Sequence, residues 1–310
     1  MRENSTHSTA PNGRAPSDAS IRAASSSAQA ATGAFALPDT PQARPVHIRT
    51  LDGNRSDERA DVVACEEPLE IQVGPASLAV VMRTPGHDEE LALGFMITER
   101  VVRSAADIVS IRHCSTTTSP EAEDNIVRVI LAPHVEIDLA ALRRNIYASS
   151  SCGICGKATI ENALAAAPPL THDPSRFAAE RIRTFVARLA EGQEVFRSTG
   201  GLHAAALFDS HGRLLVVRED VGRHNATDKA IGWAAARSLV PLAGHALVVS
   251  GRVSYEIVQK ALAARIPLVA AVSAPTSLAI ELADASGIAI VGFLRGDSMN
   301  VYTHSQRVVA

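Results

Sequence analysis

The residues best suited to chemistry are Cys152 and Cys155, two residues apart in the segment SSCGICGK, with a glycine after each cysteine. Such a pair holds a metal, exchanges electrons as a dithiol and disulfide, or carries a group covalently on sulfur. The other two cysteines, Cys65 and Cys114, stand alone and are expected to be small interior side chains. Four unevenly spaced cysteines do not form a disulfide framework, so we expect a reducing, cytoplasmic setting.

A metal site or a redox-active pair needs further features that the sequence around the two cysteines lacks. Structural zinc needs four ligands, and the only other nearby thiol, Cys114 beside His113, lies 38 residues upstream. A thioredoxin-like pair follows a strand and begins a helix; KATIENALAAA predicts the helix, but no strand leads into the motif. The glycines favour a mobile loop, in which Lys157 and the helix start would lower the pKa of a thiol. Structural zinc and a redox pair both remain open as alternatives, but we do not predict a bound metal.

A zinc deaminase site is excluded by the order of the residues. Such enzymes use H-x-E followed later by P-C-x-x-C. The segment LHAAA at His203 has no glutamate and follows the cysteines, and no proline precedes Cys152.

Composition and hydrophobic pattern divide the chain into parts. We predict a disordered tail, because Ser, Ala, Thr and Pro dominate it, then a β-rich lobe, a mobile CxxC loop and an α/β lobe. In the last part, helices alternate with short apolar strands, as in an α/β fold with a mixed, mostly parallel sheet and flanking helices. These four parts are residues 1–45, 46–145, 146–160 and 161–310.

Polar residues follow each predicted strand of the α/β lobe, in the segments EDVGRHN, SGRVS, SAPTS and FLRGDS. In open α/β sheets, ligands bind beyond the carboxyl ends of the strands. Three of these segments carry an arginine, so Arg223, Arg252 and Arg295 are expected on one edge that suits phosphate. The alternative is surface ion pairing with Glu219, Asp220 and Asp297; the repeated placement favours binding.

Two classes of function are disfavoured by composition. Thirty basic and 33 acidic residues give a net charge of −3, which argues against a nucleic-acid binder. No run of 18 apolar residues occurs, so no membrane span is predicted.

Several segments together identify a family that the chain resembles. They are EEPLEIQV, MRTPGHDEELALGF, SSCGICG, TGGLHAAALFD, EDVGRHNATDKAIG, SGRVSYEIVQKA, SAPTSLAIELA, GFLRGD and VYTH, in this order between about residues 60 and 305. The chain closely resembles the formate dehydrogenase accessory sulfurtransferase family, the FdhD-like sulfur carriers.

The resemblance implies a function and a site. The family takes sulfane sulfur from a cysteine desulfurase as a cysteine persulfide. It passes this sulfur to the molybdenum or tungsten bis(pyranopterin guanine dinucleotide) cofactor, Mo-bis(molybdopterin guanine dinucleotide), which formate dehydrogenase then receives. The persulfide cysteine matches Cys152, with Cys155 as its partner. The family's cofactor-binding stretch matches Phe293, Leu294, Arg295, Gly296, Asp297 and Ser298.

The resemblance also implies a cytidine-deaminase-like fold and a homodimer. The cofactor is a bound client here, and Arg223, His224 and Arg252 are candidate contacts to it. His224 suits a ligand contact or an internal hydrogen bond equally well. Asp297, Glu219 or Asp220 is a candidate acceptor for a guanine edge. Two alternatives are retained: a cofactor-binding chaperone whose cysteines are incidental, and a dithiol oxidoreductase.

Overall fold

The computed structural model describes residues 40–114, 124–138, 142 and 156–310, without the side chains of 156–159. Most of the predicted tail lies outside this range, and so do Cys152 and Cys155. The tail was predicted to end at residue 45, yet the first strand begins at Ala43. The predicted loop was expected to extend to residue 160, yet a helix begins at Gly156. Both boundaries moved because regular backbone pairing starts or resumes earlier than the composition indicates.

The first half of the described chain contains a hairpin and a four-stranded sheet. The sheet order is β4-β3-β6-β5, in which β3 and β6 run parallel and the other pairs antiparallel. Alternate residues such as Leu69 and Ile71 face inward and are fully buried against the first helix. The elements are β1 (Ala43–Asp52), β2 (Arg55–Ala64), β3 (Glu67–Val73), β4 (Ala76–Arg83), α1 (Asp88–Thr98), β5 (Ile108–His113) and β6 (Ile126–Leu131).

The second half forms a six-stranded sheet with helices on both faces. Its order is β13-β12-β11-β10-β8-β9. The elements are α2 (Gly156–Ala166), β7 (Phe177–Ala178), α3 (Ala179–Glu191), α4 (Glu194–Thr199), β8 (His203–Phe208), β9 (Leu214–Asp220), α5 (Arg223–Ala235), β10 (Ala246–Val249), α6 (Tyr255–Ala263), β11 (Leu268–Ala271), α7 (Ser277–Ser286), β12 (Ala289–Arg295), β13 (Ser298–Val301) and β14 (Val308–Val309).

The six-stranded sheet is mixed, as predicted, but antiparallel pairs outnumber parallel ones, so the expectation that most pairs are parallel was wrong. The pairs β10–β11 and β11–β12 are parallel, whereas β8 pairs antiparallel with both β9 and β10. A hairpin turn at Ser210–His211–Gly212 joins β8 to β9, and β8 lies between β9 and β10 in the opposite direction to both. The chain therefore has a mixed α/β fold; its likeness to cytidine deaminases stays a prediction.

The two faces of this sheet carry different layers. Leu247 and Val249 face a cluster that holds α5, α6 and α7, whereas Ala246 and Val248 face a cluster that holds α3. This alternation is the period of two expected for a strand buried on both faces. The lone cysteines are buried as predicted, with Cys65 4% and Cys114 7% exposed. No described helix is long and apolar enough to span a membrane.

Helices α1 and α5 cross with their backbones in contact. A Cβ atom on Gly94 would stand 1.9 Å from the carbonyl oxygen of Asp228, and one on Gly232 would stand 1.8 Å from that of Glu90. Only glycine permits this approach. The crossing joins the four-stranded sheet, which α1 covers, to the layer of helices on the six-stranded sheet.

Candidate functional site

One edge of the six-stranded sheet collects the predicted binding segments. Strands β9, β10, β11 and β12 run in the same direction and end there, while β8 begins there at His203. Arg223 follows β9, Arg252 follows β10, and Arg295 ends β12. The three arginines therefore lie at this edge, called the arginine edge below, and their role in binding stays a prediction.

The alternative in which these arginines pair with neighbouring carboxylates is not what the structure shows. Both oxygens of Glu219 accept N–H groups at the start of α4, from Val195 at 2.9 Å and Phe196 at 2.8 Å. Asp220 pairs with Lys229 at 2.7 Å. Within the described ranges, no carboxylate forms an ion pair with Arg223, Arg252 or Arg295. The edge therefore keeps its positive charge for another partner.

Asp220 is fully buried and accepts four hydrogen bonds. Oδ1 accepts from the Gly222 amide at 2.8 Å and from Asn225 Nδ2 at 2.9 Å; Oδ2 accepts from the Thr84 amide at 3.1 Å and from Lys229 at 2.7 Å. The carboxylate thereby fixes the loop between β9 and α5. Asp220 and Glu219 are thus engaged internally, which leaves Asp297 as the exposed candidate for a guanine edge.

Asn225 has a different role from the one that sequence statistics favour. Asparagine before a helical pattern predicts an N-cap. The helix instead begins at Arg223 with Gly222 as N-cap, so Asn225 lies inside the first turn. Its amide donates to the Met82 carbonyl at 2.7 Å and to Asp220, which ties α5 to β4.

His224 lies between the starts of α5 and α6. Its Nε2 atom is 3.5 Å from the hydroxyl of Ser254 and 3.8 Å from Glu256. Burial, helped by the charges of Lys260 and Arg223, lowers the pKa of His224 to about 4. The ring is therefore neutral near pH 7. Of the two predicted roles, the internal contact is present in the structure.

Arg223 presents an unused donor at the arginine edge. Its Nε atom is buried and has no hydrogen-bond partner in the described part of the chain. His203 is close by, because it pairs in register with Asp220 at the start of β8. A Cβ atom on Gly251 would lie 3.4 Å from His203 Nδ1, so the ring lies over that glycine. Burial, followed by the Arg223 charge, lowers the pKa of His203.

The predicted cofactor stretch forms the turn between β12 and β13. Phe293 is 38% exposed with a φ of 52°, and Gly296 has a φ of 51°. Arg295 is exposed; its Nε atom donates to the Val272 carbonyl at 3.4 Å, and its guanidinium lies 5.9 Å from the Phe293 ring centre. Leu294 is fully buried in the core, so its side chain packs and offers a ligand only its backbone. Asp297, Ser298 and Arg252 are exposed.

An apolar cavity of about 490 Å³ opens at the same edge, between α3, α4 and the sheet. Phe196 and Leu202 form its wall, and His203, Ser250 and Val272 line the side toward the arginine edge. Because Val272 accepts the hydrogen bond from Arg295, the arginine stands at the rim of the cavity. This cavity was not predictable from the sequence, because its lining residues come from α3, α4 and several strands that only the fold brings together.

Comparison with known proteins supplies the family. The model of the FdhD/NarQ family matches residues 64–309. The chain belongs to the FdhD/NarQ family.

Individual members of the FdhD/NarQ family match over most of the chain. A relative from Mycobacterium tuberculosis named sulfur carrier protein FdhD is 47% identical, covering 84% of this chain and 96% of that protein. The protein of that name from Streptomyces coelicolor is 48% identical, over 84% and 93%. That from Saccharolobus solfataricus is 42% identical, over 80% and 91%.

A crystal structure from Desulfotalea psychrophila, assigned as a formate dehydrogenase accessory protein, shares the fold. The TM-score is 0.69 at 23% sequence identity, covering 87% of this chain and all of the other. At this identity the likeness concerns the fold alone.

Sequence reasoning missed a buried charged network in this FdhD/NarQ chain, where α1, α5 and α6 meet. Lys260 is buried and contacts Asp228 and Glu99 at 2.8 Å each and the Thr98 hydroxyl at 3.0 Å. Although burial lowers it, these carboxylates raise the pKa of Lys260 overall. The partners lie on α1, α5 and α6, so only the folded structure brings them together.

Proposed function

We propose that this chain is a sulfur carrier that receives sulfane sulfur from a cysteine desulfurase as a persulfide on Cys152. It passes the sulfur to the Mo-bis(molybdopterin guanine dinucleotide) cofactor on its way to formate dehydrogenase. The observation that carries the proposal is identity of 47% to a protein named sulfur carrier over 84% of the chain. The arginine edge supports it independently, because the client cofactor carries several phosphates.

Loading is a thiol exchange in which no net oxidation occurs. The Cys152 thiolate attacks the terminal sulfur of the persulfide on the donor. A new sulfur–sulfur bond forms on Cys152 while the donor bond breaks, and the donor cysteine leaves as a thiolate. The terminal sulfur on Cys152 is then the atom to be delivered.

Release needs two electrons, which the second cysteine supplies. The Cys155 thiolate attacks Sγ of Cys152, a Cys152–Cys155 disulfide forms, and the terminal sulfur leaves as sulfide for the client. The pair of thiols is oxidised by two electrons and the sulfane sulfur is reduced by two. An external thiol then restores the dithiol and closes the cycle.

The arginine edge is the part of the described structure that fits the client. Arginine donates to phosphate through paired N–H groups, and here three arginines form no ion pair with a carboxylate of the described residues. The turn that contains Arg295 is exposed and also offers backbone amides and the carboxylate of Asp297. Its exposed residues are Phe293, Arg295, Gly296, Asp297 and Ser298. The cytoplasmic location and the homodimer stay predictions.

Mass spectrometry of the intact and digested protein tests the proposal. After incubation with a cysteine desulfurase and cysteine, the peptide that holds Cys152 is expected to gain one sulfur atom. Cys152→Ala abolishes the gain, whereas Cys155→Ser keeps the sulfur bound for longer because the internal release step is lost. No gain on Cys152 beside an active desulfurase would reject the carrier role.

The same variants separate the alternatives. A chaperone with incidental cysteines supports active formate dehydrogenase with Cys152→Ala, which the carrier proposal forbids. A dithiol oxidoreductase turns over disulfide substrates and loses this activity with either cysteine changed. Elemental analysis for zinc addresses the metal alternative.

A further inference from the structure

Two arginines occupy backbone positions at which glycine is the usual residue. Arg100 follows the C-cap of α1 and Arg265 follows the C-cap of α6, with left-handed φ angles of 59° and 65°. A residue with a side chain is strained in this conformation, and helices that end in this way mostly do so on glycine. An arginine at both positions therefore indicates that each side chain makes a contact that offsets the strain.

Both side chains reach the same segment, which lies at the end of α2. Arg100 donates from Nε to the Ala166 carbonyl at 2.9 Å, and from Nη2 to the same oxygen. Arg265 donates from Nη1 to the Pro168 carbonyl and from Nη2 to the Pro169 carbonyl at 3.3 Å. Burial, followed by the charge of Arg265, lowers the pKa of Arg100, so the two guanidinium groups lie near each other.

A third arginine binds the next carbonyl of this segment. Arg307 is buried, and its Nη2 atom donates to the Leu170 carbonyl at 3.0 Å. The Leu170 amide in turn donates to the Ser286 carbonyl at 2.7 Å, at the end of α7. The side chains that hold the end of α2, called the α2 clamp below, are thus those of Arg100, Arg265 and Arg307.

The contacts of the α2 clamp suit the end of a helix. The last carbonyl groups of a helix have no partner within it and carry partial negative charge. Arginine supplies both the missing donors and the opposite charge, and hydrogen bonds from a charged donor are stronger than neutral ones. Within the described ranges, neither Arg100 nor Arg265 forms an ion pair with a carboxylate. Both are therefore committed to the backbone of this segment.

The rest of α2 has few means of holding its position. Ala163 and Ala167 belong to the apolar cluster that holds α5, α6 and α7, and Ile160 and Leu164 pack against it. These four residues share one face of the helix, and two of them bury only a methyl group. A helix of 11 residues is marginal without tertiary contacts. The clamp therefore supplies much of what fixes this helix.

The opposite end of α2 leads directly to the candidate thiols. Gly156 is the first residue of α2, and it follows Cys155 in the sequence. At a rise of about 1.5 Å per residue, the two ends of the helix are about 15 Å apart. A tilt of about 10° about a loosened end would move the other end by about 3 Å, and displacements of about 1 Å already slow a reaction between positioned groups.

We propose that the α2 clamp positions the pair Cys152 and Cys155 for sulfur transfer, by fixing the far end of the helix that follows them. The inference rests on the proposed function, which makes Cys152 the carrier. Arg100 and Arg265 are positioning residues, because they act through α2 and not on the sulfur. The clamp matters where the thiol must meet another macromolecule, the desulfurase, in one orientation. A small persulfide that diffuses to the thiol does not need it.

Hydrogen–deuterium exchange tests whether the clamp holds α2. The double variant Arg100→Gly/Arg265→Gly removes both side chains, and it is expected to fold because glycine suits both backbone positions. The amides of residues 160–166 are expected to exchange about tenfold faster, since hydrogen bonds from charged donors no longer oppose local opening. Ser238→Gly is the matched control: it relieves a φ of 58° after α5, leaves the clamp intact and leaves exchange in α2 unchanged.

The rate at which Cys152 gains sulfur tests whether the position of α2 matters. With a cysteine desulfurase and cysteine, the double variant is expected to load about tenfold more slowly than wild type. With glutathione persulfide its rate is expected to be unchanged, because exchange with a small donor depends on the pKa and access of the thiol. Arg103→Gln removes a neighbouring exposed charge but no clamp contact, and is expected to load at the wild-type rate from both donors.

A conservative variant tests the geometry of the contacts. Arg100→Lys/Arg265→Lys keeps both charges but replaces each fork of N–H groups by a single ammonium group, so partial rescue of loading and of exchange is expected. The thermal unfolding midpoint of every variant is measured beside its rates. Should the double glycine variant fail to fold, this variant provides the same two comparisons with wild type.

Three results overturn the proposal: exchange in α2 at the wild-type rate, loading by the desulfurase at the wild-type rate, and equal slowing with both donors. The last result would mean that the substitutions change the thiol itself. If Cys152 of the wild-type protein gains no sulfur from either donor, the proposed function fails. The exchange rates then decide separately whether the clamp holds α2, so the two failures are distinguishable.

Discussion

Asp220 sits at the end of β9, where sequence alone would place it among the solvent-facing charges of EDVGRHN. It is fully buried, and its partner Lys229 is 1% exposed. Two charges removed from water stabilise a fold only when the remaining donors and acceptors are satisfied. Here Lys229 also donates to the Thr84 carbonyl at 2.7 Å, so the pair is well satisfied.

The first prediction concerns this pair. Asp220→Asn removes the negative charge and leaves Lys229 buried and unpaired, which is expected to cost about 3–5 kcal/mol of unfolding free energy. Urea unfolding followed by circular dichroism measures the loss. Asp297→Asn, at an exposed carboxylate, serves as the matched control and is expected to change the value by less than about 0.5 kcal/mol. Equal losses in the two variants would contradict the structural role of Asp220.

At the scale of elements, the crossing of α1 and α5 leaves no space for a side chain larger than that of glycine. A side chain at Gly232 would meet the Glu90 carbonyl and the Gly94 amide. Both groups belong to helix backbone, so neither can move away as a flexible side chain would. The two helices must therefore separate to accept any larger residue.

The second prediction is that Gly232→Ala destabilises the protein by more than about 3 kcal/mol, since overpacking here displaces backbone. Gly201→Ala is the control: its Cβ would rest 3.5 Å from the Ala64 methyl group, an ordinary contact. Thermal unfolding of both variants gives the comparison. A shift in Gly232→Ala no larger than in Gly201→Ala would show that the crossing adjusts freely.

The elements themselves were largely readable from local pattern. The hairpin of β8 and β9, helices α5, α6 and α7 and the intervening strands appear where apolar periodicity and turn residues indicate. Helix α7 ends at Gly287 with a φ of 81°, as the glycine predicts. The position of β8 between β9 and β10 was not readable, because strand order depends on pairing between distant segments.

The candidate site was readable in the same limited sense. Placing Arg223, Arg252 and Arg295 on one edge needed only the rule that ligands bind beyond strand ends. The sequence does not show which of the three arginines is most buried, because the burial of the Arg223 Nε atom depends on how α5 packs near β8. The role of Asn225 is hidden for a related reason, because its partner Met82 lies 143 residues away in the sequence.

At the scale of the whole molecule, several elements meet at His224. It lies in the first turn of α5, contacts Ser254 and Glu256 at the start of α6, and experiences the charges of Lys260, Arg223 and Glu99. Protonation of this ring therefore places a further positive charge among two others. The pH dependence of stability reports whether the helices hold this arrangement.

The last prediction follows from the pKa of His224, lowered to about 4 from an ordinary value of 6.5. Below pH 6.5 His224 binds a proton in the unfolded chain but stays neutral in the folded chain. The contribution of His224 to stability is therefore complete above that pH and is lost as the pH falls toward 4. With allowance for partial exposure, the loss between pH 6.5 and 5 is about 1 kcal/mol. Urea unfolding across this range measures it. His224→Gln should flatten the curve in this window. The control is His47→Gln, at an exposed histidine on β1, which should leave the curve unchanged. Identical slopes in all three proteins would mean that the His224 ring is not enclosed by these helices.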